Sequence, residues 1–182
     1  MTVKCGLPVF PIDIDNAKVL IVGTFPSPIS LECGEYYKNN DNLFWGMMAE
    51  VLKCPNLKME SYAFKEQLLK HNHIILWDIL KSCERKGALD KSIIEETADN
   101  NDFSDILKNN KIRIIIINGV VIRSKKTKKL GAKGWFIKFN GEICDFEKKY
   151  NVKVIALHST SPSAKKWFNI SEWKENIRPY IN

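Results

Sequence analysis

The chain has 182 residues, 45% hydrophobic and 27% charged, with a net charge of +7 and a pI near 9.1. That composition excludes a disordered, fibrous or membrane-embedded chain and predicts one ordinary soluble domain spanning 1–182. The positive balance favours polyanionic partners, although a merely solvated lysine-rich surface gives the same number. Five cysteines, Cys5, Cys33, Cys54, Cys83 and Cys144, contain no CxxC pair, so we expect reduced structural thiols and no metal or cofactor. The opening MTVKCGLPVFPIDIDN is broken by Pro8 and Pro11 and acidic at Asp13 and Asp15, unlike a signal peptide, which predicts a cytoplasmic protein.

In chain order, short β-branched runs stand at Lys18–Gly23, His73–Leu80, Ile112–Gly119 and Val152–His158. Nearly continuous apolar runs of this length predict strands buried on both faces. Helical patterns alternate with them at Asn42–Lys53, Tyr62–Lys70, Lys91–Glu96 with Phe103–Asn109, and Lys165–Ile177. The alternation predicts an α/β fold, a three-layer αβα sandwich around a central, mostly parallel four-stranded sheet. Ligands of such folds bind beyond the carboxyl ends of the strands, so the residues following Val22, Leu76, Ile117 and Leu157 are the ones to inspect.

After the first strand comes Gly23-Thr24-Phe25-Pro26-Ser27-Pro28, and then YYKNNDNLFW from Tyr36 to Trp45. A rigid turn accounts for the first segment, which lacks phosphate-loop or dinucleotide spacing. After the last strand comes His158-Ser159-Thr160-Ser161-Pro162, where hydroxyls either cap a helix or hold a phosphate. Arg123 to Lys129 carries five positive charges in seven residues, either a DNA-backbone patch or a solvated face. His71 and His73 lack further ligands for a metal site.

Together, GTFPSP, YYKNNDNLFW and STSP resemble the motifs of the uracil-DNA glycosylase superfamily, and most closely its hypoxanthine-DNA (deoxyinosine) glycosylase branch. LWDIL, SCERKGALDKSI and the Asn118-Gly119 pair are similar to that branch too. The resemblance implies a monofunctional enzyme that flips a deaminated base out of DNA and hydrolyses its N-glycosidic bond without a metal. It places Asn42 at the catalytic position, where a neutral amide orients water or hydrogen-bonds the base; by local sequence Asn42 is equally an N-cap. It assigns the base pocket to Gly23, Thr24, Phe25, Pro26, Ser27, Tyr37, Trp77, Asp78 and Asn118, with Tyr37 stacking on the base and Asp78 reading its edge; by local sequence Asp78 equally caps the following segment and Phe25 is alternatively plain core. Ser159, Thr160, Ser161 and Pro162, with Lys165 and Lys166, are then expected to grip DNA phosphates.

The chain departs from the family pattern at Phe25, where mismatch-specific relatives carry a polar catalytic residue, and at His158, where many relatives have proline. KNND replaces a more usual His-Pro pair. The expected partner is DNA carrying a deaminated base, bound by a monomer. Alternatives are a uracil or mismatch specificity, a non-catalytic DNA-binding relative, and a nucleobase or nucleotide hydrolase on the same fold.

Overall fold

A computed structural model describes residues 3–11, 15–87, 89–109 and 111–181; Asp13, noted above, lies outside them. Four parallel strands form the central sheet in the order β3-β2-β6-β7: β2 (Val19–Gly23), β3 (Ile74–Asp78), β6 (Ile114–Asn118) and β7 (Lys153–Leu157). A smaller antiparallel sheet joins β1 (Lys4–Cys5), β4 (Leu80–Cys83) and β5 (Asp99–Asn100). The four expected strands are present and shorter than expected: the first loses only Lys18, and the second ends at Asp78, with Leu80 opening β4.

The helices are α1 (Pro28–Cys33), α2 (Phe44–Val51), α3 (Tyr62–His71), α4 (Ser104–Asn109), α5 (Ala132–Asn140), α6 (Ile143–Tyr150) and α7 (Ile170–Ile177). Alternation along the strands separates two cores. Val19, Ile21, Ile74, Leu76, Ile114 and Ile116 pack with Phe44, Met48, Leu69 and Trp173 of α2, α3 and α7. Leu20, Val22, Ile75, Ile115 and Ile117 pack with Trp135, Phe136 and Phe146 of α5 and α6. The result is the expected three-layer αβα sandwich.

Several helices differ from their sequence patterns. The 91–96 stretch is not an α-helix but two 3₁₀ turns, Asp90–Ser92 and Glu95–Thr97. Ser92 and Thr97 donate to the carbonyls of Leu89 and Ile94, and Ile93 is buried beside an extended bridge to Arg85. Local side-chain bonds of this kind compete with helical pairing. The 165–177 pattern divides into a 3₁₀ segment, Pro162–Trp167, and α7, whose first turn is capped by Asn169. The sequence patterns include neither α5, interrupted by Gly134 and flanked by Gly131 and Gly141, nor α6.

The strand order creates a switch point. The chain leaves β2 for β3 on one side and later returns to the other side of β2 as β6. The crevice outside the carboxyl ends of β2 and β6 is where such sheets hold ligands.

Candidate active site

Gly23, Asp78 and Asn118 end β2, β3 and β6. Gly23 pairs in register with Asp78. By alternation all three belong to the sheet face covered by α2, α3 and α7. The preceding residues, Val22, Trp77 and Ile117, belong to the opposite face. Three strands therefore deliver one small residue, one acid and one amide to a single spot.

The Asn118 amide is a clasp. Its Oδ1 accepts from the Thr160 N–H at 2.9 Å, and its Nδ2 donates to Thr160 Oγ1 at 2.9 Å and to the Tyr37 hydroxyl at 3.3 Å. The Leu43 N–H then donates to the Thr160 carbonyl at 2.9 Å. The loop after β7, the Tyr36–Asn42 segment and the end of β6 are thereby tied together, and Asn42 and Ser159 are the immediate chain neighbours of residues in direct contact.

Tyr37 has a left-handed backbone, φ 54°, and its ring stacks on Phe44 with centroids 3.7 Å apart and planes within 13°. Tyr36 lies beneath, buried, with its hydroxyl donating to the Pro8 carbonyl at 3.0 Å. Asn42 is half-buried and its Oδ1 accepts from the Phe44 N–H at 3.0 Å, a bond to the first residue of α2 made from one position before its N-cap, Leu43. Tyr37 and Asn42 line one cavity of about 590 Å³, with Trp45, Tyr62, Lys58 and Lys65 among its other walls. That volume lies within the range of small-molecule pockets, about 300–1,000 Å³.

Asp78 is 4% exposed, and its Oδ2 is buried without a hydrogen-bond partner. Burial, reinforced by the charge of Asp90, pushes its carboxyl up to about 8. At neutral pH it is mostly an uncharged acid, able to donate as well as accept. Its Oδ1 stands 2.6 Å from the position a Cβ on Gly23 would take, and the Tyr37 hydroxyl stands 3.6 Å from that point. Tyr37 thus lies between the cavity and the acid.

Phe25 and Trp77 are the expected pocket residues that lie away from the cavity and Asp78. Phe25 and Trp77 pack into the core on the far side of the sheet, Trp77 edge-on to Phe103 at 5.6 Å. The physical reason for Trp77 is strand alternation, which sends residues 77 and 78 to opposite faces. Thr24 and Pro26 are buried, and Ser27 caps α1 by accepting from the Ser30 N–H. Thr160 is a correction: it is fully buried and bonded to Asn118, so its side chain reaches no phosphate. Ser159 accepts from the Ser161 N–H, and the Ser161 and Ser163 hydroxyls share a hydrogen bond. Pro162, Lys165 and Lys166 are exposed, as is Trp167, with the Lys166 ammonium 4.1 Å above its ring. His158 is held by Glu172, Nδ1 to Oε2 at 3.0 Å, and its carbonyl accepts from Trp173.

The pattern of the uracil DNA glycosylase superfamily matches residues 11–180. The chain belongs to that superfamily. Its similar proteins include a hypoxanthine DNA glycosylase of Methanosarcina acetivorans, 38% identical over 112 residues, which are 60% of this chain and 69% of the relative. Another, from Methanosarcina barkeri, is 32% identical over 118 residues, 64% of this chain and 71% of the relative. The fold is similar to the solution NMR structure of a candidate uracil DNA glycosylase from Methanosarcina acetivorans, with TM-score 0.73, 28% identity and coverage of 98% and 99% of the two chains.

Superfamily membership makes the protein a DNA glycosylase of the base-excision type, kin to the hypoxanthine branch. Within that frame the structure adds Arg85, which no site motif singles out by role. Its Nη2 donates to the Pro26 carbonyl at 2.7 Å, its guanidinium lies 5.1 Å from the Phe25 ring centroid, and its Nη1 is buried without a partner. The signal in the sequence was the SCERKGALDKSI segment, whose chemistry is legible only once Arg85 is seen to anchor the GTFPS turn. Among the described residues no group of three or more His, Cys, Asp or Glu is placed to hold a metal, and no helix is long and apolar enough to cross a membrane.

Proposed function

We propose that the protein excises hypoxanthine from DNA, with the flipped base in the cavity that Tyr37 and Asn42 share. That shared cavity, in a chain similar to two hypoxanthine DNA glycosylases, is the observation that carries the reading. Tyr37, stacked on Phe44, offers an aromatic surface to the base. Asn42 has its oxygen fixed on the Phe44 N–H, which leaves Nδ2 to donate to the base as negative charge builds on it during C–N cleavage. A second lone pair on Oδ1 can position the attacking water. The C1′–N bond breaks through an oxocarbenium-like sugar, the base leaves with the electron pair, water adds its oxygen to C1′, and the proton that water loses passes to the released base anion.

Asp78, as a neutral acid, offers both an O–H donor and a carbonyl acceptor. Hypoxanthine presents an N1–H beside O6, a donor and an acceptor that match it. The Tyr37 hydroxyl, 3.3 Å from Asn118 Nδ2, must shift or relay the contact for the base edge to meet this acid. Uracil also carries an N–H beside a carbonyl, so uracil is the competing substrate. Exposed Lys165 and Lys166, with the partly exposed Ser159 and Ser161 and the exposed Ser163, are the groups of the 158–168 loop that can meet phosphates.

The test is single-turnover cleavage of duplexes bearing one hypoxanthine, one uracil or no lesion, with abasic sites revealed by alkali. Hypoxanthine-dependent product, reduced roughly 10²–10³-fold in Asn42→Ala, is the expected result. Faster release of uracil overturns the base assignment. Product undiminished in Asn42→Ala overturns the role of that residue.

A further inference from the structure

Helical periodicity gives α3 an inward stripe at Tyr62, Lys65 and Leu69, and the middle residue of that stripe is a lysine. Lys65 is only 8% exposed, whereas lysines are almost never buried without a partner of opposite charge. It takes part in no ion pair among the described residues. Glu35, on the wall of the same cavity, is already held by Lys38 at 2.9 Å.

What holds the Lys65 ammonium is aromatic and backbone. Its Nζ lies over the Trp45 ring, 5.1 Å from the centroid, and donates to the Lys58 carbonyl at 3.2 Å. One of its three N–H bonds is thereby used and two remain. The Trp45 ring is fixed in turn, because its Nε1 donates to the Tyr36 carbonyl at 3.0 Å and Tyr62 meets it edge-on with centroids 6.5 Å apart. The cation therefore stands at a preset place on a rigid wall.

That wall belongs to the cavity that Tyr37 and Asn42 share. The lining carries Lys38, Lys58 and Lys65 against Glu35 and Glu60, a positive excess that suits an anion. Burial pulls the Lys65 ammonium below the ordinary lysine value; Lys38 adds to that pull, and Glu35 and Glu60 oppose it. A partly desolvated cation acts on a new negative charge with less screening than one in water. Hydrolysis of an N-glycosidic bond creates such a charge, since the electron pair of the C1′–N bond leaves with the base. A purine spreads that charge over its ring nitrogens and O6, all of them acceptors for an ammonium N–H.

We propose that Lys65 is a second catalytic group beside Asn42, its ammonium donating a hydrogen bond to the departing base as the C1′–N bond breaks. Lys65 keeps its proton throughout, and the base anion is neutralised by the proton that the attacking water loses. The proposal rests on the reading of this cavity as the base pocket.

The experiment compares wild type with Lys65→Met, which keeps the length and apolar stem of the side chain, and Lys65→Arg, which keeps the charge. Single-turnover rates at saturating protein are measured on a duplex bearing whichever of hypoxanthine or uracil the wild type releases faster. Affinity for the same duplex is measured by fluorescence anisotropy across a salt series. Lys65→Met should lose roughly 10²-fold in rate, the scale of one preorganised donor to a developing anion, with affinity within about twofold of wild type. Lys65→Arg should recover most of that rate. If Lys65→Met melts below the assay temperature, Lys65→Gln carries the same comparison. A folded, uncharged variant that cleaves at the wild-type rate overturns the proposal. So does one that keeps its rate but binds more weakly with a salt slope flatter by about 0.9, which would make Lys65 a phosphate contact. Equal losses in Lys65→Met and Lys65→Arg overturn it in favour of packing on Trp45. Wild-type protein that yields no abasic product from either base overturns the glycosylase reading itself, an outcome distinct from all of these.

Discussion

Asp78 Oδ1 occupies the space that any side chain on Gly23 would enter, 2.6 Å from the position of its Cβ. The two residues are register partners, so neither is free to move away along its strand. Gly23→Ala should push the carboxyl toward the Tyr37 hydroxyl and cost about 1–3 kcal/mol, as overpacking does. Urea unfolding gives the stability, and single-turnover cleavage should fall with it even where the variant is fully folded. An unchanged midpoint and rate would mean that the carboxyl sits elsewhere.

The pH dependence follows from the same acid. A carboxyl whose folded pKa is raised from about 3.9 to about 8 contributes stability that is fully present below the unfolded value and is lost as pH rises through the folded one. Wild-type stability should therefore fall between about pH 4 and 8. Asp78→Asn keeps the shape and removes the ionisation, so its decline over that window should be smaller by on the order of a few kcal/mol. Thermal melts of both proteins at several pH values make the comparison. Parallel curves would show that Asp78 is ionised already at neutral pH.

The Asn118 clasp predicts an order of damage. Thr160→Val removes one acceptor while leaving Asn118 Nδ2 its bond to Tyr37, a loss of about 1 kcal/mol. Asn118→Ala strands the buried Thr160 N–H and opens a gap, so it should cost about 1–3 kcal/mol or more. Because the Thr160 side chain is buried, Thr160→Val should leave the salt dependence of DNA binding unaltered. A flatter slope would restore the phosphate-contact role to that residue.

Tyr37 carries two separable contacts, a ring stack and a hydroxyl. Tyr37→Phe keeps the stack on Phe44 and drops only the 3.3 Å bond to Asn118, so lesion binding should change by only a few-fold. Tyr37→Ala should weaken binding of the lesion duplex by about 1–3 kcal/mol, the scale of one base–aromatic stack. Equal losses in the two variants would assign the effect to the hydroxyl.

Much of the fold was legible because its signals are local. Continuous β-branched runs such as IIII at Ile114–Ile117 have one stable use, a strand covered on both faces. The 91–96 stretch misled for an equally local reason, since Ser92 and Thr97 bond the nearby backbone and Ile93 is drawn into the core. α5 escaped notice because Gly131 and Gly134 break its pattern, and both are spent on accommodating the Val121–Ile122 backbone rather than on helix propensity.

By itself the sequence determined the layered fold, the loops that bear the site and the superfamily motifs, because periodicity and motif spacing are properties of the chain. Only the tertiary structure decided which motif residues face the crevice. Strand alternation sends Asp78 inward to Gly23 and Trp77 to the opposite core, and Thr160 is consumed by Asn118, a residue far from it in sequence. Tyr37 and Asn42 share a cavity only because the backbone around Phe44 folds back on itself, with Asn42 bonded to Phe44 and Phe44 stacked on Tyr37. Contacts of this kind depend on which groups satisfy one another once water is excluded, and that choice is made by packing between distant segments.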